Sequence, residues 1–406
     1  MYSVPFWILC AFIAFLPWET LGEIQDLPSV SRLIGLLLLY CAVMALIVRS
    51  RVRRLTPIFG VLLAYLLWYV LSIGWAIDAS VTLDSCVTAA SLAIFFWLIW
   101  AFAPTLDHQL WLMRCYIYSL VASIIAQLVL YRSLQGAAGT AQERYSAAGH
   151  DVNYYSELLA IGAFFCVYLI LHARRRSAAS LQYWLFLPAL GASMLLTGSR
   201  TGFVVLFVVG AGIFFILKSS GLTKIAMFLV AAGVLVYAAP RLTPEALWTR
   251  MTEETGLNEQ ALGSRVVLWE CALKGIAKRP VLGCGGGCGA IAIAEAGYPI
   301  ELVSHNVFLT AWLELGTVGL AIYLLWLFML LRAILSMPKS ERWFWLFVVL
   351  VWGLYANSSG NLIDKLSWFL WGMITVQARD FRDRASEKWN TLRMQNPRLS
   401  KTKPAR

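Results

Sequence analysis

The chain has 406 residues, of which 60% are hydrophobic and only 14% charged, with a mean hydropathy of +0.71. Soluble domains carry about half apolar and about a quarter charged residues, so this composition excludes a soluble globular protein and describes a polytopic membrane protein. The net charge of +11 comes from lysines and arginines scattered along membrane flanks, which excludes a nucleic-acid-binding surface.

Apolar runs of the length needed to cross about 30 Å of hydrocarbon recur along the chain, and they predict about twelve membrane helices. The first six are Val4–Trp18, Leu33–Val48, Pro57–Ala76, Asp84–Ala103, Leu110–Tyr131 and Val152–His172. The next three are Leu181–Thr197, Phe203–Leu217 and Lys224–Ala239; the last three are Asn306–Leu335, Trp343–Ala356 and Leu362–Gln377. The first run lacks a basic leader and a small-residue cleavage site, so it reads as an uncleaved helix.

Basic residues fix the orientation, because basic loops stay cytoplasmic. Arg49, Arg51, Arg53 and Arg54, then Arg174 to Arg176, Lys218 and Lys224, and finally Arg332, Lys339 and Arg342 all follow even-numbered spans or flank even turns. Both termini are therefore expected inside. The chain divides into membrane helices over 1–239, a loop domain over 240–305, further membrane helices over 306–378 and a basic cytoplasmic tail over 379–406. The tail is expected to start as helix and to touch anionic headgroups. A hydrophilic connection of about 65 residues inside a compact fold is usually functional.

Candidate site residues cluster on the other, outer face. Arg200 lies in the short TGSRTG turn, where an arginine is either a snorkelling anchor or a functional charge. In the long loop, Ser264 reads as the N-cap of a helix that Pro280 stops, which would set Arg265 at a helix N-terminus. Arg265 is then either a solvated surface side chain or one prong of an anion site. The GCGGGCG run from Gly283 to Gly289 lacks the Lys-Ser/Thr of a nucleotide loop; its glycines suit close backbone approach. Cys284 and Cys288 leave a local disulfide or a soft-metal pair open, although no histidine pair completes a zinc set. Of four histidines, His150 and His305 fall at the outer face. His305 opens SHNVFLTAWLELGTVGL, where it is either a polar cap or a neutral base for a hydroxyl proton.

SRTG at Ser199–Gly202, SRVVLWECALKGIAKRPVLGCGGG from Ser264 and SHNVFLTAWLELGTVGL from Ser304, in this order, resemble the O-antigen ligase and polymerase superfamily. The resemblance implies an all-α, GT-C-like inner-membrane glycosyltransferase with one large periplasmic helical loop and a periplasmic active site. It implies Arg200 and Arg265 as diphosphate-binding residues and His305 as the essential histidine. RYSAAGHDVNYYSELLA from Arg144 is similar to a further family loop, although Val152 and Asn153 replace the usual Pro-Asn there. Arg144, Asn153 and Asn306 are accordingly expected as substrate-binding residues. The implied donor is an undecaprenyl-diphosphate-linked polysaccharide and the implied acceptor the lipid A core, with membrane lipids as the surroundings, no nucleic acid, no metal and no cofactor. Two other readings remain: a polymerase using the same donor, and a transporter of a small anion. The transporter lacks the paired repeats and broken midplane helices of that class.

Overall fold

The computed structural model describes residues 3–18, 30–49, 53–137, 151–173, 178–216, 261–358 and 360–395, together with positions 233 and 237. Among them are α-helices and 3-10 turns and no strand. The helices are α1 (Val4–Ala14), α2 (Val30–Arg49), α3 (Pro57–Leu71), α4 (Ala79–Phe102), α5 (Leu106–Ala137), α6 (Val152–His172), α7 (Ala178–Leu196) and α8 (Arg200–Ile216). After the undescribed stretch come α9 (Ala261–Lys278), α10 (Gly289–Glu295), α11 (Val307–Leu335), α12 (Lys339–Tyr355) and α13 (Lys365–Gln395). The expected span Lys224–Ala239 lies outside the described residues apart from those two positions. Arg144, His150 and Arg174–Arg176 lie outside them too.

Among the described residues, five segments are long and apolar enough to cross a membrane: Pro57–Trp75, Ala79–Phe102, Leu106–Val129, Val152–His172 and Val307–Leu335. Val4–Ala14, Leu33–Ala45, Ser180–Leu196 and Arg200–Ile216 are apolar but shorter. At 1.5 Å per residue, a helix needs about 20 residues for 30 Å, so these meet the expectation of a membrane helix in composition more than in length. The class is an all-α polytopic membrane protein.

The centre of the bundle is α6, with 83% of its apolar stretch buried and every residue from Tyr155 to Leu169 inside. It packs against α5, α7, α8 and α12. Small residues let these backbones approach: a Cβ at Gly202 of α8 would strike the Ser156 hydroxyl of α6. At the same end, Tyr355 of α12 donates to Ser156 at 2.7 Å, and the first amide of α11, Val307, bonds the Ala356 carbonyl at 2.8 Å. The starts of α6, α8 and α11 and the end of α12 thus meet at one end of the bundle.

Three boundaries differ from expectation. Helix α5 runs on to Ala137, past Tyr131. Helix α13 carries the last apolar run straight into the tail without a break at 378, because charges at i,i+4 spacing pair along it: Arg379 Nε with Asp383 at 2.8 Å, and Arg384 with Asp380. Helix α9 begins at Ala261, so Ser264 lies within it instead of capping it, and Arg265 is its fifth residue.

Candidate functional site

The N-terminus of α6 is built by Asp151, whose Oδ1 accepts the amides of Asn153 at 2.8 Å and Tyr154 at 3.2 Å. This is the carboxylate cap that satisfies otherwise unpaired first-turn donors. Asn153 faces the neighbouring turn, where its Oδ1 accepts the Ser199 hydroxyl at 2.7 Å. Ser199 Oγ in turn accepts the Gly202 amide at 3.0 Å and caps α8. Arg200 is the first residue of α8 and is exposed. It reaches the cluster through its neighbour Ser199.

From the loop side, Arg265 on α9 is half-buried, and Trp269 follows one turn later on the same face. The Trp269 indole donates to the Ser304 carbonyl at 2.8 Å, which ties the arginine-bearing helix to the residue before His305. His305 has φ 52, the one positive φ outside glycine among the described residues. Such a conformation is uncommon for a side-chain-bearing residue, although histidine tolerates it better than most. The turn is held on both sides. The Ser304 hydroxyl accepts the Asn306 amide at 3.2 Å and lies 2.7 Å from the Thr310 hydroxyl. Asn306 Oδ1 caps α11 by accepting the Leu309 amide at 2.9 Å, and its Nδ2 donates to Asn357 Oδ1 at 3.1 Å. Both ends of the Asn306 amide are therefore engaged in holding α11 to the end of α12. A Cβ at Gly360 would come within 2.9 Å of the His305 main-chain nitrogen, so the glycine seats the turn against the start of the last helix.

The half-buried His305 ring has its pKa pushed below the ordinary histidine value. Burial is the largest cause, the Arg265 charge adds to it, and the Asp151 charge and a hydrogen bond to the Ser358 backbone oppose it. Four separate segments meet around one imidazole, which is neutral at pH 7. The charges of Arg265 and Asp151 both act on the His305 ring, and Asn153 is tied to the turn that carries Arg200. Asp151, Trp269 and Ser358 were not singled out from the sequence. The carboxylate in Asp151-Val152-Asn153, directly before an apolar run, was the available signal for the first.

The glycine run finds its ligand within the chain. The amides of Gly287 and Gly289 donate to the buried Glu314 carboxylate of α11 at 2.9 and 3.3 Å. Gly283, Gly285 and Gly287 have φ of 77, 101 and 79, and a Cβ at Gly286 would run into the Tyr69 ring. Next to Glu314, Gly316 adopts φ 67 and ψ −174 and kinks α11, a region that only glycine occupies without strain. The kink lets the Thr317 amide reach the Pro280 carbonyl at 2.9 Å. This loop therefore cradles a carboxylate as nucleotide loops cradle phosphate. Cys284 and Cys288 are free buried thiols: Cys288 Sγ lies 3.3 Å from the Thr82 hydroxyl, and Cys284 Sγ 3.7 Å from the Gly285 carbonyl. No group of three or more metal-ligating side chains occurs among the described residues.

Beside the His305 turn, a groove of about 270 Å³ runs between α9 and α11, with Asn306 at its mouth and Trp269, Leu273, Phe308, Leu309, Trp312 and Leu320 along its walls. Both indole N–H groups are engaged, Trp269 with Ser304 and Trp312 with the Thr317 hydroxyl at 3.1 Å. The aromatic walls thus offer apolar faces.

No curated protein matches the chain. Residues 184–324, from α7 to the middle of α11, match the family model described as O-antigen ligase, and this stretch contains Arg200, Arg265 and His305. Over that segment the chain is similar to the O-antigen ligase family.

Proposed function

We propose that the protein transfers O-antigen polysaccharide from undecaprenyl diphosphate to the lipid A core on the periplasmic face of the inner membrane. The observation that carries this reading is the meeting of a neutral, half-buried His305 with the charge of Arg265 at one end of the bundle. Next to it, the apolar groove between α9 and α11 suits the polyprenyl chain of a donor whose diphosphate lies at headgroup depth.

In this scheme an acceptor hydroxyl oxygen attacks the anomeric carbon while the bond from that carbon to the diphosphate oxygen breaks. His305 takes the hydroxyl proton, a role that needs the unprotonated ring its surroundings favour. Arg265 and Arg200 meet the charge that develops on the leaving diphosphate; a guanidinium offers two parallel donors for this. Asp151 caps α6 and acts on His305 through its charge. Asn153 holds the Arg200 turn. A single displacement inverts the anomeric configuration, as expected where no carboxylate pair stands ready for a covalent intermediate among the described residues.

The test is transfer by the purified chain in detergent, with lipid-linked O-antigen as donor and lipid A core as acceptor. A product on lipid A core with inverted linkage is expected. Elongation of the lipid-linked glycan without transfer to the core would make the protein a polymerase, and retention by NMR would overturn the single displacement.

A further inference from the structure

The bundle carries a second cavity at the end opposite His305, and nothing in the transfer scheme uses it. Its volume is about 360 Å³, and it lies between the start of α3, the last turns of α11 and the continuation of α13. Thr56, Pro57 and Ile58 form one wall, Met329, Arg332, Ala333 and Ser336 the second, and Arg382 the third.

Three observations give it a chemistry. Thr56 sits at the N-cap of α3, yet its hydroxyl makes no capping bond. The residue is 9% exposed and its Oγ1 has no hydrogen-bond partner. A buried unpaired hydroxyl costs free energy and calls for a ligand. Next, Arg332 and Arg382 form no ion pair among the described residues, whereas on the same helix as Arg382 the neighbouring Arg379 and Arg384 are each matched by an aspartate. Arg382 spends its Nε on the Ala378 carbonyl at 3.2 Å. The last-turn carbonyls of α11 are already taken: the Ser336 amide bonds those of Arg332 and Ala333 at 3.1 and 3.2 Å, and the Ser336 hydroxyl bonds Ala333 at 2.7 Å. The cavity is thus rich in donors and poor in free acceptors, with the positive end of the α3 dipole at one wall. Lastly, Pro57, Ile58, Met329 and Ala333 give it apolar flanks.

We infer that this cavity binds the phosphate headgroup of an anionic phospholipid, with Arg332 and Arg382 as charge partners, the Thr56 hydroxyl as a donor and the apolar flanks against the glycerol and upper acyl chain. Free phosphate shares the headgroup chemistry but has no use for the apolar flanks. The arginine-rich end is the one that the positive-inside rule assigns to the cytoplasmic leaflet, where anionic lipids attract basic side chains. The inference rests on the membrane architecture and not on the transfer reaction.

The experiment is native mass spectrometry of the full chain in neutral detergent, with dioleoylphosphatidylglycerol, dioleoylphosphatidylcholine and inorganic phosphate as separate probes. The wild type should retain phosphatidylglycerol in preference to phosphatidylcholine by about twenty-fivefold, roughly fivefold for each arginine. Arg332→Ala combined with Arg382→Ala should abolish the preference. Thr56→Val, which keeps the shape and removes the hydroxyl, should weaken retention about fivefold and decides the matter if the double variant does not fold. Lys339→Ala, at the same end but outside the cavity, should leave the preference intact. Equal retention of the two lipids, a preference that survives loss of both arginines, or an equal loss in Lys339→Ala would overturn the inference. Equal binding of inorganic phosphate would also overturn it, making this a site for the free ion.

Discussion

Trp269 and Ser304, 35 residues apart in the chain, are joined by a 2.8 Å hydrogen bond from the indole nitrogen to the backbone carbonyl. Because Arg265 stands one turn before Trp269 and His305 directly follows Ser304, this bond sets the spacing between the cationic group and the imidazole. Trp269→Phe keeps the ring and removes the donor. Turnover should fall about five- to tenfold, the worth of one hydrogen bond. The acid limb of the rate profile should move to higher pH as the Arg265 charge recedes from His305. A fall in rate without that movement would reduce Trp269 to a packing residue.

His305→Ala should fold and retain lipid-linked donor, while its turnover drops by about 10² to 10⁴, the usual contribution of a general base. His305→Gln, which can hydrogen-bond but cannot take the proton, should be nearly as poor. Single-turnover kinetics beside a donor-binding measurement separate the two effects. Loss of donor binding in proportion to rate would make His305 a positioning residue.

The pH dependence has a defined sign. In the proposed scheme His305 acts in its neutral form, and its pKa is pushed below the ordinary value of 6.5, so the rate should fall only on the acid side of that value. Removing a cation nearby raises the pKa, so Arg265→Gln should move the acid limb to higher pH. Asp151 favours the protonated ring, so Asp151→Asn, which can still cap α6, should move the limb to lower pH. Rate profiles of the three proteins check both directions.

Arg265→Ala and Arg200→Ala should each cost about 3 kcal/mol of transition-state stabilisation, roughly a hundredfold in rate. Lysine should restore part of it, because a point charge cannot reproduce the bidentate fork. In the proposed scheme the arginines meet the diphosphate charge, so transfer should proceed in excess EDTA. Abolition by the chelator with recovery on added magnesium or manganese would reassign that role.

The glycine cradle predicts a loss of stability. Gly287→Ala adds a Cβ at φ 79 that meets the Ser85 hydroxyl, and the strain should be about 1–3 kcal/mol. Glu314→Gln keeps the volume but weakens the bonds from Gly287 and Gly289. Both variants should unfold at lower temperature in detergent while keeping the acid limb of the rate profile.

Much of this arrangement was legible in the sequence. Several apolar runs located their helices closely, as with Val152–His172, which is α6 as found, whereas α5 and α13 run well past the expected ends. The three motifs carrying Arg200, Arg265 and His305 marked the segments that converge at one end. What local pattern could not give is long-range. Ser264 has the chemistry of a cap, but helix α9 starts a turn earlier at Ala261, since alanine and leucine continue a helix at low cost. Asp151 draws no notice in the sequence, because only the fold brings its charge to bear on His305. The target of the glycine amides could not be read either, because a carboxylate in an apolar helix gives no sign of which backbone will receive it.

The Glu314 latch bears on how the chain is made. The carboxylate and the Gly287 amide that receives it are 27 residues apart, and the receiving turn precedes Glu314 in synthesis. An acidic side chain entering hydrocarbon alone is costly. Here its partner is synthesised first, so α11 meets a cradle that already exists when Glu314 arrives. Burial of the α11 carboxylate thereby depends on a turn that precedes the helix in the chain.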